Sequence, residues 1–222
     1  AAVTDLKPTK KNIAKNRNLK ALVTTGPTRE YLDPIRYISN ESSGKQGYEI
    51  AIALDKIGIK TTLIAGPSRF ATPKSIRVKK ITSADEMLNE VKKSLPVDLA
   101  VCVAAVTDLK PTKKNKNKIK KDILNLKSIN FVKNYDILEF LSKNNNRPRL
   151  VAGFSAETEN VTKNSIGKMK DKHCDFIFAN DVSKKGIGFN SDYNEVSVID
   201  KKGNVKKIPK NKKSFIANKI AE

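Results

Sequence analysis

The chain has no tryptophan, a single histidine and two cysteines, and only 6% of its 222 residues are aromatic. So few aromatics leave a base-stacking platform for nucleic acid poorly supplied. One histidine and two dispersed cysteines do not make up a zinc site. Cys102 and Cys174 both lie in apolar, β-like runs. They read as reduced core thiols of a cytosolic protein, not as a disulfide framework. No apolar run is long enough to span a membrane, and the N-terminal stretch lacks the apolar core of a signal peptide. The expected setting is therefore cytoplasmic, with no membrane partner.

Acidic residues are also short. Against 44 Lys+Arg stand 23 Asp+Glu, a formal net charge of +21. Such an excess raises nucleic-acid binding as a rival function. The lysines are scattered, however, with clusters near 7–20, 110–121, 163–172 and 201–213 and no helix that gathers them. A lysine- and asparagine-rich bias on a solvated surface is the preferred reading, and a small anionic substrate fits the same charge.

What is present is a repeated β-α pattern. Residues 1–20 are polar and basic without apolar periodicity, and read as a tail or linker before a domain over 21–222. Ala1–Asn12 repeats Ala104–Asn115 letter for letter, AAVTDLKPTKKN. Only the second copy follows a strand-like run, so the first is given no chemistry. Strands are expected at 21–25, 61–65, 98–106, 150–154, 176–179 and 195–200, and a more exposed one over Ile123–Ile129. Helices are expected at 45–57, 84–95 with Ser83 as N-cap, 136–142, a basic one ending near Lys172, and 213–221. Lys110–Lys121 is expected to have no element of its own. The fold class that follows is α/β, doubly wound and mainly parallel.

Polar clusters fall at the carboxyl ends of the strands, where open α/β sheets bind ligands. They are the 26–45 loop, Asp108 with its basic loop, Glu157–Asn160, and Asn180 with Asp181. The first loop is the richest. Gly-x-Gly-x-x-Gly is absent from it. A P-loop also fails, since Gln46 follows Gly44-Lys45 and Ser39 stands where the first glycine belongs. What remains is an anion cradle of Ser42, Ser43 and Gly44 at a helix N-terminus, with Arg36 and Asn40 nearby. Lys110–Lys121 is either a mobile lid over a phosphate or a solvated charge run, and Lys118-Ile119-Lys120-Lys121, nearest the next strand, is its best-placed part. Asp108, Glu157 and Asp181 are either ligand contacts or turn residues. His173 reads as a helix C-cap.

In order along 21–220, the segments TTGPTREYLDPIRYISNESSGKQG, AAVTD, KIKK, KNYDI, GFSAETENV, ANDVS and GFNSD closely resemble phosphopantothenate–cysteine ligase, the phosphopantothenoylcysteine synthetase family of coenzyme A biosynthesis. The resemblance implies a Rossmann-like sheet with a mobile basic lid and a dimerisation segment after it. It implies a CTP-dependent ligation of 4′-phosphopantothenate and L-cysteine through an acyl-cytidylate, with Mg²⁺ accompanying the nucleotide. It also implies a homodimer, and a fused or separate flavin-dependent decarboxylase. The motif wording looks bacterial, which points to CTP where the eukaryotic branch prefers ATP. Asn40 corresponds to the asparagine that binds the acyl-nucleotide and helps convert it, Arg36 to its substrate-orienting partner, and Lys118 to the lysine needed to form the acyl-cytidylate. Cys102, Val103, Ala104, Asp108, Tyr135, Asp136, Ile137, Leu138, Phe154, Lys168 and Lys172 correspond to nucleotide contacts, together with Lys118. The family commonly has proline where Tyr135 stands.

Overall fold

The computed structural model describes residues 16–119, 129–184, 186–188 and 191–222. The duplicated segment 1–12 and the strand expected over Ile123–Ile129 lie almost wholly outside them. So do Lys120 and Lys121 of the KIKK motif.

An eight-stranded sheet forms the centre. Its strands are β1 (Lys20–Thr25), β4 (Lys60–Ala65), β5 (Arg77–Lys80), β6 (Leu99–Cys102), β9 (Leu150–Glu157), β10 (Phe176–Asp181), β11 (Tyr193–Asp200) and β12 (Val205–Lys212). The order is β12-β11-β10-β9-β6-β1-β4-β5, parallel from β10 to β5, with β11 and β12 antiparallel at one edge. This is the α/β, mainly parallel, Rossmann-like architecture expected. Two small antiparallel pairs stand outside it: β2 (Arg29–Tyr31) with β3 (Tyr37–Ser39), and β7 (Leu109–Pro111) with β8 (Phe131–Lys133).

Alternation along β1 divides the core. Ala21 and Val23 face one side, where they pack with α1 (Lys45–Lys56) and α5 (Lys213–Ala221). Leu22 faces the other, with α2 (Ala84–Ser94), α3 (Ile137–Lys143) and α4 (Val161–Lys172). Successive side chains on a strand point to opposite faces, so a strand buried on both sides must be apolar throughout. Leu22, Leu63 and Ile64 are fully buried, each stabilising the fold by roughly 1.5–3 kcal/mol relative to exposure.

The helix ends follow their local chemistry. Ser83 accepts the Glu86 N–H at 3.2 Å, and the Glu86 carboxylate reaches back to the Thr82 N–H at 2.7 Å, a reciprocal cap. Asp136 caps α3 through the Glu139 N–H at 2.9 Å. His173 closes α4 in a left-handed conformation, φ 54°, as expected of a C-cap.

Several expectations need correcting. The strand expected over 98–106 ends at Cys102. Beyond it, Val103 and Ala105 still donate to the carbonyls of Thr24 and Gly26, at 3.1 and 2.9 Å. The register with β9 ends at Cys102 opposite Gly153. One side of 103–106 thus parts from β9 and opens a cleft. The basic stretch from Lys110 does begin in an element, since Leu109–Pro111 is half of a two-stranded ribbon. β2, β3, β5 and β12 were not foreseen. β12 escapes notice because its side chains, apart from the buried Ile208, are mostly exposed and largely lysine, the pattern that protects a sheet edge.

Candidate active site

The chain moves outward from β1 through β4 to β5, then returns to place β6 on the other side of β1. That reversal is a topological switch point, where open α/β sheets leave a crevice at their carboxyl edge. A cleft of about 470 Å³ occupies it, between the turn before α1, the 103–106 segment, β9 and the end of β10. A smaller cavity of about 150 Å³ adjoins it under the turn before α3. Ala104, Val106, Asp108, Phe154 and Lys168 line both.

The turn before α1 owes its shape to close backbone packing. Gly44 has φ 77°, and a Cβ there would sit 3.0 Å from the Gly26 Cα. Its carbonyl accepts the Thr25 hydroxyl at 2.6 Å. Behind it, a Cβ on Gly66 would meet the Pro27 carbonyl oxygen at 1.9 Å. Only glycine leaves room for such contacts. The Ser42 hydroxyl accepts the Gly44 N–H at 3.2 Å and the Ser43 hydroxyl the Lys45 N–H at 3.4 Å. The cradle donors expected of Ser42–Gly44 are thus partly engaged by the serines themselves, while all three residues line the cleft.

Asn40 lines the cleft and donates to the Val106 carbonyl at 3.0 Å. Arg36 does not line it. Its Nε and Nη2 bind one Asp33 oxygen at 2.9 and 2.5 Å, and Nη2 also reaches the Ile119 carbonyl at 2.8 Å. The other Asp33 oxygen accepts the N–H groups of Ile35 and Arg36, and the Ile119 N–H donates to Asp33 at 3.2 Å. Burial alone would push Asp33 upward, but Arg36 and these backbone donors outweigh it and hold the carboxyl well below the usual carboxylate range. Lys118 is exposed and lies outside both cavities. Its neighbour Ile119 is the residue that Asp33 and Arg36 grip.

The second cavity gathers most of the other expected residues. Cys102, Ala104, Asp108, Tyr135, Asp136, Ile137, Leu138, Phe154 and Lys168 all line it, while Val103 lines the larger cleft. Asp108 is exposed, and its carbonyl accepts the Asn134 N–H at 2.8 Å. Lys168 donates to the Phe154 carbonyl at 3.1 Å. Lys172 is set back, paired with Asp136 at 3.0 Å and Glu139 at 2.9 Å. Hydrogen bonds from Lys143 and Lys172 lower Glu139 to about 2, and the Glu139 bond in turn raises Lys172. The Cys102 thiol is pushed up to about 12 by burial and by Asp136. Both cysteines are free, as expected. Glu157 and Asp181 bind neighbouring Ser155 and Ser183 and do not line either cavity.

Three side chains of the cleft were not anticipated. Lys213 is 3% exposed, and Gln46 and Asn194 are buried beside it. Nothing distinguishes Lys213 within the run KNKK. Asn180, noted only as a strand-end polar residue, also lines the cleft; its Oδ1 is buried without a hydrogen-bond partner. Among the described residues no group of three or more His, Cys, Asp or Glu forms a metal cluster.

The family described as DNA/pantothenate metabolism flavoprotein C-terminal domain matches residues 16–222. Coenzyme A biosynthesis bifunctional protein CoaBC of Vibrio vulnificus is 40% identical over 202 residues, covering 90% of this chain and 50% of that protein. Its Escherichia coli K12 counterpart is 36% identical over 209 residues, covering 93% and 51%. The chain thus spans about half the length of these relatives. Among solved structures, the C-terminal domain of CoaBC superimposes with a TM-score of 0.78 at 31% identity, covering 94% of each chain. A Cab2 variant in complex with phosphopantothenate-cysteine shares the fold, with a TM-score of 0.74 at 14% identity, covering 95% of this chain and 86% of that one. With the ordered motifs, these matches establish that the chain belongs to the family of the DNA/pantothenate metabolism flavoprotein C-terminal domain.

Proposed function

We propose that this chain is a phosphopantothenate–cysteine ligase, joining 4′-phosphopantothenate to L-cysteine at the expense of CTP. One observation carries the reading. Residues from four separate motifs, Asn40, Asp108, Tyr135–Leu138 and Phe154 with Lys168, line two joined cavities at the switch point. The names of the relatives, proteins of coenzyme A biosynthesis, support it.

The pantothenate carboxylate attacks the α-phosphate of CTP, giving an acyl-cytidylate and pyrophosphate. The cysteine amine then attacks the acyl carbon and CMP leaves. An anion attacking an anion needs charge neutralised and reactants aligned. Lys168 is held over the shared wall by the Phe154 carbonyl, where its charge faces both cavities. Asn40, fixed on Val106, lines the cleft where the acyl-nucleotide would lie. Arg36 and Lys118 serve different steps yet are joined through Asp33 and Ile119, so seating of the arginine loop and of the lysine segment is coupled. A magnesium ion fits as a companion of the triphosphate, because Asp108 and Glu41 are carboxylates of the cleft lining and Mg²⁺ is commonly bound by one or two carboxylates plus substrate phosphates. The working unit is a homodimer, beside a fused or separate flavin-dependent decarboxylase.

The test is turnover with phosphopantothenate and cysteine, following pyrophosphate with CTP and with ATP. Lys118→Gln abolishes pyrophosphate release; release at the unaltered rate refutes its role. Asn40→Ala leaves the first step and lets acyl-cytidylate accumulate; an unchanged final-product rate removes it from the second step. Absence of phosphopantothenate-dependent pyrophosphate release with either nucleotide refutes the reading as a whole.

A further inference from the structure

Resting on that reading, we propose that Lys213 is a further anion-binding residue of the cleft, taking the phosphate groups of a substrate together with Lys45 beside the Ser42–Gly44 turn. Lys213 opens α5 and belongs to none of the motifs that identify the site. Contacts with described residues pin it. Its N–H donates to the Asp192 carbonyl at 2.9 Å, its carbonyl accepts the Gln46 amide at 3.2 Å, and its ammonium donates to the Gly188 carbonyl at 2.8 Å. Asn194 steadies Gln46 at 3.3 Å. Residues of α1, of β11 and of the segment before it thus converge to set one ammonium in the wall of the cleft.

Burying an ammonium is costly, and a methionine or glutamine would fill the place more cheaply. Here a second ammonium, Lys45, stands close enough to repel it, although Lys45 is itself paired with Asp192 at 2.5 Å. Two lysines on one concave wall are an arrangement that an anion relieves. An independent sign of a ligand is Asn180. It is 8% exposed, lines the same cleft, and has a buried amide oxygen without a partner. A small turn of the Asn180 amide would bring that oxygen to the cleft, where an occupant with an N–H or O–H donor as well as negative charge satisfies it. CTP and 4′-phosphopantothenate both meet that description.

The arrangement couples anion binding to a proton. Burial, and secondarily Lys45, bring Lys213 down to about 8, with Asp192 opposing. The other charged residues of the cleft lining are Glu41, Asp108 and Lys168, and Lys212 precedes Lys213 in the chain. A bound phosphate raises Lys213 again. Above pH 8 binding then takes up a proton, and affinity falls up to tenfold per pH unit.

Calorimetric titration with inorganic pyrophosphate, CTP and 4′-phosphopantothenate, in two buffers of different ionisation enthalpy at pH 7.5 and 9, separates the outcomes. The expected result is that at least one anion binds with proton uptake at pH 9 and little at pH 7.5. Lys213→Met weakens that anion at least tenfold at pH 7.5, and Lys213→Arg abolishes the uptake. The anion so affected identifies which substrate's phosphate lies there. Equal affinity of all three anions for the unaltered protein and Lys213→Met, or no proton uptake by the unaltered protein, overturns the inference. The second result needs no variant. If pyrophosphate alone shows the Lys213 dependence while neither substrate binds, the ligase reading fails and the anion site stands.

Discussion

The two ends of the cleft are built on different plans. At the α3 end, one short segment, Tyr135–Leu138, supplies much of the wall, and its charges, Asp136, Glu139 and Lys172, pair near the surface. At the α1 end, residues up to 167 positions apart meet in one buried knot of Gln46, Asn194 and Lys213. The first plan tolerates change because water can replace a lost partner. The second does not at Gln46 or Asn194, because a buried polar group that loses its partner bears the full desolvation penalty, whereas Lys213 enters the knot through its backbone carbonyl. The difference predicts how strongly a substitution at each end disturbs the packing of the cleft.

The largest effect should come from Asp33, the latch between the arginine loop and Ile119. Asp33→Ala leaves Arg36 and three backbone donors without their acceptor, and turnover should fall on the order of a hundredfold with the sheet intact by circular dichroism. A fall under threefold would mean that the latch does not position the site. Next is Lys213→Met, which trades function for stability. Because Lys213 is held at about 8 when folded and is near 10.4 when unfolded, its burial cost is complete below pH 8 and fades as pH rises toward 10.4. The variant should therefore be more stable at pH 7 by about 1–2 kcal/mol, allowing for partial solvation, and the gain should shrink by pH 10. Thermal melts at the two pH values check both points.

The α3 end should respond more mildly. Asp136→Ala removes the N-cap and one partner of Lys172, costing about 1 kcal/mol in denaturant unfolding. A loss as large as that from a core deletion would show this end to be as tightly knotted as the other. The smallest effect is expected at the thiols. With Cys102 near 12 and Cys174 near 11, neither should be alkylated by iodoacetamide at pH 8 until the protein is unfolded. Rapid labelling of Cys102 in the native protein would mean that the small cavity is wetter than its packing implies.

The same contrast explains what could be read from the letters. The α3 end was legible because Lys-Asn-Tyr-Asp-Ile is contiguous, and its expected residues, Lys172 excepted, line the cavities. The strands of the parallel core, the exposed edge strand β5 excepted, were legible because burial on both faces demands unbroken apolar runs. β2 and β3 were not: three-residue strands inside a polar loop have no period to detect. β12 was hidden by its lysines, and the early end of β6 by apolar residues that continue past the last pairing with β9. Lys213 was illegible for a deeper reason. Among 44 basic residues, its distinction is burial, and burial is decided by α1 and β11 from far along the chain.

The packing of Gly44 against Gly26, and of Gly66 against Pro27, has a pharmacological consequence. There the cleft rests on backbone pressed against backbone. An inhibitor that draws its affinity from this wall is recognised by peptide groups, which no codon change can replace. Any side chain added to keep it out would have to displace the floor of the cleft itself. Resistance would then have to arise at the other end of the cleft, among exchangeable side chains such as Tyr135, where cultures selected under such an inhibitor should show their first substitutions.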